Sequence, residues 1–309
     1  MKKNRTFLSS DGKTRIHSVM WIPDSKPKAI VQIIHGMIEY IERYEDFARF
    51  LCDQGFLVVG HDQLGHGQSV ESVEDWGFIC EVAPARALVR DIHKLRKITQ
   101  KAYPDLPYFV LGHSMGSYLL RRYLSHKGEG LAGAIIVGTG SEPDLRVRSG
   151  LMLIRSSAQT KGWHFKSEKL SGLMFNSAYK EFDTEGKDYE NSWICSDPHI
   201  MELYYNDPRD RFLFTLNGFE ALLSTVLYTN QKQNIDRIPK ELPILLASGE
   251  KDPVGNLGKG VKKVYQQLVK AGVYDTECNL YPDMRHEILN EIDKAKVYSD
   301  INDWIERHM

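Results

Sequence analysis

The chain has 309 residues, with 40 Lys and Arg against 41 Asp and Glu, a formal charge of -1 at neutral pH. That balance leaves no overall field to draw in DNA, RNA or an anionic membrane, so nucleic acid is not expected as a partner. With 42% hydrophobic and 26% charged residues the composition is that of a globular chain able to bury a sizeable core, which excludes disorder.

Length alone leaves open one elaborated unit or two domains. The amino terminus, MKKNRTFLSSDGKTRIHSV, is basic at its start but has no continuous apolar stretch. No segment approaches the roughly 18 apolar residues that cross a bilayer, so a cytoplasmic protein without an integral membrane segment is expected, with transient membrane contact left open. Cys52, Cys80, Cys195 and Cys278 are isolated, without a CxxC pair, and read as free thiols. Oligomeric state is not legible.

Taken in chain order, RTFLSS and RIHSVMWIP bracket the turn DGK and predict an antiparallel hairpin at one margin of a sheet. KAIVQIIHG and FLVVGHD (residues 56–62) are short aliphatic runs suited to strands covered on both faces. Between them, Tyr44, Phe47, Ala48, Phe50 and Leu51 recur at near-helical intervals before Gly55, which completes a first βαβ unit. A second unit places Leu88, Val89, Ile92, Leu95 and Ile98 on one helical stripe, then a strand over Tyr108 to Leu111 after Pro104 and Pro107. A helix from about Met115 to His126, a strand in LAGAIIVGTG and another in PILLASG (residues 243–249) continue the alternation. From Gly140 to about Ile238 the rhythm stops. SGLMLIRSSA and GFEALLSTVLYT read as helical fragments there, so the expected division is a core of residues 1–140 and 239–309 with a mainly helical insertion at 141–238. The last stretch predicts a helix in GKGVKKVYQQLVKAG, a strand near YDTECNLY and a terminal helix.

The decisive local feature is GHSMG, residues 112–116, between a predicted strand and a predicted helix. That context turns a weak GxSxG match into a nucleophile elbow: Gly112 and Gly116 keep bulk away from a sharp turn that lifts the Ser114 hydroxyl. A serine hydroxyl needs a base to take its proton and an acid to orient that base. Of the histidines downstream, His126 falls on the elbow helix, His164 and His199 in the insertion and His308 next to the carboxyl end, whereas His286 lies in a polar loop after a strand. Glu250 and Asp252 both follow the PILLASG strand, and Asp252, farther out in the loop and ahead of Pro253, is preferred. Backbone N–H groups of Met115, opening the elbow helix, and of Met37, in the loop after QIIHG, are the expected donors to an oxyanion. The side chains of both methionines serve equally well as acyl-pocket lining or as core. His61, Asp62 and His66 lie close in sequence, but serine chemistry needs no metal, and neither a metal nor any other cofactor is expected. Trp163, Phe165 and Trp193 either contact substrate or fill the core of the insertion.

With these residues in view, the sequence resembles the α/β-hydrolase superfamily, and within it the serine aminopeptidase-like branch that contains monoacylglycerol lipases and lysophospholipases. The resemblance spans nearly the whole chain. It rests on HGxxE at His35, Gly36 and Glu39, on DxxGHGxS at Asp62, Gly65, His66, Gly67 and Ser69, on the elbow, on Asp252-Pro253, on His286-Glu287, and on SDPHIMELYYNDP from Ser196 to Pro208. It implies a mostly parallel eight-stranded sheet flanked by helices, with the insertion as a cap or lid over an acyl channel; SGLMLIRS and SGLMF supply apolar material for such a wall. It implies Ser114, Asp252 and His286 as catalytic residues, and a small lipid or ester substrate such as a monoacylglycerol or lysophospholipid. A short-chain carboxylesterase or a serine aminopeptidase is the alternative, and a catalytically silent binding protein on the same fold the second.

Overall fold

The computed structural model describes residues 1–172 and 177–309. Its sheet has eight strands: β1 (Lys2–Leu8), β2 (Arg15–Trp21), β3 (Ala29–Ile34), β4 (Phe56–His61), β5 (Tyr108–His113), β6 (Gly133–Val137), β7 (Ile244–Gly249) and β8 (Thr276–Tyr281), in the spatial order β1-β2-β4-β3-β5-β6-β7-β8. The expected hairpin forms the margin: β1 pairs antiparallel with β2, β2 antiparallel with β4, and every later pairing is parallel. β1 is exposed along almost its whole length and carries Lys2, Lys3 and Arg5, charges that protect an open edge from pairing with another chain.

The aliphatic runs become central strands because both faces are covered. In β3, Ile30 and Ile34 join the core shared with α2 (Pro84–Ala102) and α3 (Met115–Lys127), while Val31 and Ile33 join the core under α1 (Glu45–Asp53) and α10 (Lys294–Arg307). Gln32 interrupts this run and is fully buried, but its amide donates to Ile92 O (3.1 Å) and accepts from the Tyr108 hydroxyl (2.6 Å), so no polar atom is stranded. On α2 the buried stripe runs through Leu88, Ile92, Leu95 and Thr99, flanked by the buried Ala85, Asp91 and Arg96, whereas Ile98 is 45% exposed. The stripe follows steps of four, three and four residues, and Ile98 lies one position off it.

Between β6 and β7 the described residues contain no strand. They form α4 (Asp144–Lys161), α5 (Glu168–Gly172), α6 (Pro198–Asn206), α7 (Leu216–Asn230) and α8 (Lys232–Ile235). Most of SGLMF falls outside the described residues. Helix α7 starts with Thr215 accepting from the Gly218 N–H and drives Leu216, Phe219, Leu222 and Val226 into the same core as α2 and α3. A smaller apolar cluster gathers Ile194, Cys195, Met201 and Tyr205. After β7 comes α9 (Lys259–Lys270). Among the described residues no helix is long and apolar enough to cross a membrane.

Candidate active site

Ser114 sits between the last residue of β5 and the first of α3 with φ 52° and ψ -120°, a backbone conformation that costs energy for a side-chain-bearing residue and persists because its surroundings enforce it. Close backbone packing is the cause. A Cβ on Gly116 would collide with the carbonyl oxygens of Ile34 and His35, and one on Gly112 with the carbonyl of Gly116, so the ends of β3 and β5 and the start of α3 meet main chain to main chain. Gly36 completes the arrangement: a Cβ there would come 2.9 Å from Ser114 Cβ, which places the loop after β3 against the serine. Met115 opens α3, where first-turn N–H groups lack helical acceptors and the helix dipole favours negative charge. Met37 and Met115 line the same cavity as Ser114.

Asp252 and His286 come together from loops 34 residues apart. His286 Nδ1 lies 3.0 Å from Asp252 Oδ2 with both side chains buried, although the ring does not aim its N–H squarely at that oxygen; such contacts often tighten only with substrate in place. Asp252 also accepts from the Val254 N–H (2.8 Å) and the Ser248 hydroxyl (3.2 Å). Glu250 is exposed.

A buried charge cluster that sequence reasoning missed underlies both loops. Arg43 makes a two-pronged pair with Glu287 (2.6 and 2.8 Å), reaches Glu39 at 3.3 Å and Asp210 at 3.4 Å. His113, the residue before Ser114, faces Glu39 through Nδ1 (3.1 Å) and His286 O through Nε2 (3.3 Å). Burial by itself would lower the His113 pKa, but the bond and charge of Glu39, aided by Glu287, raise it. Burial likewise opposes ionisation of Glu39, and His113 and Arg43 overcome it, holding that carboxyl well below the usual range. The cluster thereby joins the loop after β3, the elbow and the His286 loop, and through Asp210 it reaches the segment between α6 and α7. Glu39 and Glu287 stood in the quoted motifs, but nothing local in the sequence points to Arg43 or Asp210 as their partners.

Ser114 opens onto a cavity of about 470 Å³ whose walls are largely apolar, with Val147 and Ile154 from α4 and Phe219 and Leu223 from α7. A charged pair borders it, Arg146–Glu142 at 3.1 Å, and Ser149 and Tyr118 also line it. Trp193 lines this cavity too and lies 5.2 Å, centroid to centroid, from the His286 ring. Trp163 is 37% exposed, and Phe165 packs on the main core.

The remaining histidines lie elsewhere in the network. His126 bonds the Tyr228 hydroxyl (2.8 Å), His164 stacks on Phe78, His199 is exposed, and His308 Nε2 lies 3.3 Å from Asp275. Asp62 ties its own loop to the segment after β3 and to β2, accepting from the Gln68 and Ile41 N–H groups at 2.8 Å each and facing His17 Nδ1 at 3.0 Å. Among the described residues the donors that converge tightly enough for a cation are Asp275, Glu277 and His308, and Glu277 is committed to Arg307.

The model of the serine aminopeptidase S33 family matches residues 25–293. The chain is 27% identical to the human monoglyceride lipase over 289 residues, 92% of this chain and 84% of the relative, and 25% identical to a monoacylglycerol lipase of Mycolicibacterium smegmatis over 96% of this chain and 95% of the relative. Among solved structures it is similar to a thermostable carboxyl esterase from Bacillus coagulans in complex with glycerol, with a TM-score of 0.91, 30% identity, and coverage of 99% of this chain and 98% of that one. An eight-stranded, mostly parallel sheet between helices, with a serine on a strained strand-to-helix turn, agrees with these likenesses: the protein is a carboxylic ester hydrolase of α/β-hydrolase fold and belongs to the serine aminopeptidase S33 family.

Proposed function

We propose that this enzyme hydrolyses lipid esters of the monoacylglycerol or lysophospholipid class, with Ser114 as nucleophile, His286 as base and Asp252 as the acid that orients it. The observation that carries this reading is the strained serine at the floor of a large, mainly apolar cavity. A volume of about 470 Å³ falls within the roughly 300–1,000 Å³ typical of ligand pockets, and aliphatic walls favour an acyl chain over the charged amine of a peptide. His286 removes the Ser114 proton as the hydroxyl oxygen attacks the ester carbonyl, and the N–H groups of Met37 and Met115 receive the oxyanion. The imidazolium, held by Asp252, then protonates the departing alcohol. Water activated by the same base releases the fatty acid and restores Ser114.

In this reading the insertion, residues 141–238, is the cap over the chain-binding cavity, because α4 and α7 furnish much of its wall. The four free cysteines fit a reducing compartment, and we place the enzyme in the cytoplasm on that account. Ser114→Ala is expected to fold normally and to lose activity by on the order of a millionfold, with loss of labelling by a fluorophosphonate probe. Mass-spectrometric profiling of products from a mixed library of lipids, short esters and amino-acid amides, read against that variant, checks the substrate class. Turnover confined to short esters or amides would replace the lipid assignment, and unchanged turnover by Ser114→Ala would remove the serine mechanism.

A further inference from the structure

One stretch of the insertion, residues 190–196, is bonded to both flanks of the His286 loop. On one flank the guanidinium of Arg285, the residue before His286, donates to three carbonyl oxygens of the stretch: Glu190 (2.9 Å), Ser192 (2.5 Å) and Cys195 (3.2 Å). On the other, the Glu287 N–H donates to Ile194 O (2.7 Å), the Cys195 thiol donates to Asn290 O (3.2 Å), and Glu291 accepts from the N–H (3.1 Å) and hydroxyl of Ser196. Glu291 also accepts from the Arg285 N–H (2.7 Å), which closes the circuit. Ser192, Ile194 and Cys195 are buried, while the bond to Glu190 O lies at the exposed end of the stretch. Trp193 stands between the anchors, with its ring tilted 34° to the imidazole and its surface on the cavity that Ser114 opens onto.

We propose that Arg285 and Trp193 are positioning residues for His286: Arg285 fastens the strap, and the Trp193 ring sets the plane of the imidazole and keeps water from that face. A guanidinium suits the task because its rigid fork spreads donors over two nitrogens, Nη1 to Ser192 O and Cys195 O and Nη2 to Glu190 O, where a lysine ammonium donates from a single point. Since Trp193 also faces the cavity, an acyl chain long enough to pack against it presses on the ring that orients the base. Part of the chain's binding energy then appears in kcat and not only in KM.

The inference rests on the reading of His286 as the base, and the experiment separates the two. Steady-state kinetics with p-nitrophenyl esters of graded chain length, alongside thermal unfolding, are measured for Trp193→Leu, Trp193→Phe, Arg285→Ala, Arg285→Lys, the Trp193→Leu/Arg285→Ala double variant and His286→Ala. Trp193→Leu and Arg285→Ala are each expected to lower kcat by about 10- to 100-fold with KM changed by less than about threefold, since small misplacements of a catalytic group cost that much. Trp193→Phe is expected to recover most of the loss. The double variant should be no worse than the poorer single one, because both act through one placement. Folded variants that keep kcat within about twofold of the parent while His286→Ala is inactive would overturn the strap and leave the base reading standing. A change in KM alone, or equal losses for Phe and Leu that track Tm, would reduce Trp193 to wall or core. Retained activity in His286→Ala would remove the base reading itself.

Discussion

Asp210 shares the Arg43 guanidinium with two other carboxylates, Glu39 and Glu287, and the consequence is a proton held in the protein interior. Burial raises its pKa, the attraction of Arg43 works against that, and the charges of Glu287 and Glu39 add to the rise, so the carboxyl is pushed up to about 8 from its ordinary 3.8. The folded chain keeps this proton where the unfolded chain has lost it. The stability it contributes is therefore fully present below about pH 3.8 and is lost as pH rises through about 8. His61 and His66 act in the opposite sense. Burial, then the neighbouring charge of His35, lowers both to about 3 from 6.5, so their contribution is present above pH 6.5 and is lost as pH falls through 3. Asp210→Asn, which mimics the protonated carboxyl, is expected to raise Tm most at pH 9, by about 2–4 °C for each kcal/mol, to keep a smaller advantage at pH 6 and to lose it only towards pH 3.8. Thermal unfolding of parent and variant across pH checks this, and an advantage independent of pH would contradict it. The elbow was legible at this scale because glycine spacing and a strand-to-helix switch are local. The Arg43 cluster was not, since its members come from separate segments and owe their charge states to burial.

At the scale of elements, α4 and α7 determine the cavity. Gly150 on α4 faces Leu223 on α7, and a Cβ at Gly150 would stand 3.0 Å from Leu223 Cδ1, so the missing side chain is part of the cavity volume. Gly150→Leu is expected to strengthen the helix locally and to fill part of the cavity between α4 and α7. Each methylene that can no longer be buried costs about 0.8 kcal/mol, roughly fourfold in kcat/KM. Activity on a series of fatty-acyl esters should therefore shift to chains shorter by about two to four carbons, with esters of the shortest acids unaffected; an unchanged length optimum would place the chain elsewhere. Helix α4 also shows where periodicity fails. Val147, Leu151, Ile154 and Ala158 are buried, yet Leu145 and Met152 are 78% and 72% exposed, and Leu153 faces the cavity. Three surfaces with different needs blur the apolar stripe, so the sequence predicted only a fragment of an 18-residue helix. The same reasoning accounts for Ile98, an apolar residue on a helix whose buried face passes beside it.

Over the whole molecule, a formal charge of -1 leaves capture of an uncharged ester to apolar burial. For a neutral monoacylglycerol below its aggregation limit, kcat/KM is expected to change by less than about twofold between low salt and about 0.5 M salt, where screening is nearly complete. A steep fall in a salt titration would instead point to steering by a local field, for example from Arg146. The insertion does not stand apart from the sheet-bearing body: α7 shares the core of α2 and α3, and residues 190–196 are bonded around His286. The sequence by itself determined the alternation of strands and helices, the place where it breaks after Gly140 and the turn that holds Ser114, because hydrophobic period and glycine spacing act over a few residues. Only the tertiary structure decided that Asp252 and not Glu250 faces His286, that one arginine gathers three acidic side chains, and that residues 190–196 are bonded to both flanks of the His286 loop. Those outcomes depend on which distant side chains are removed from water together, and burial is a property of the packed chain as a whole.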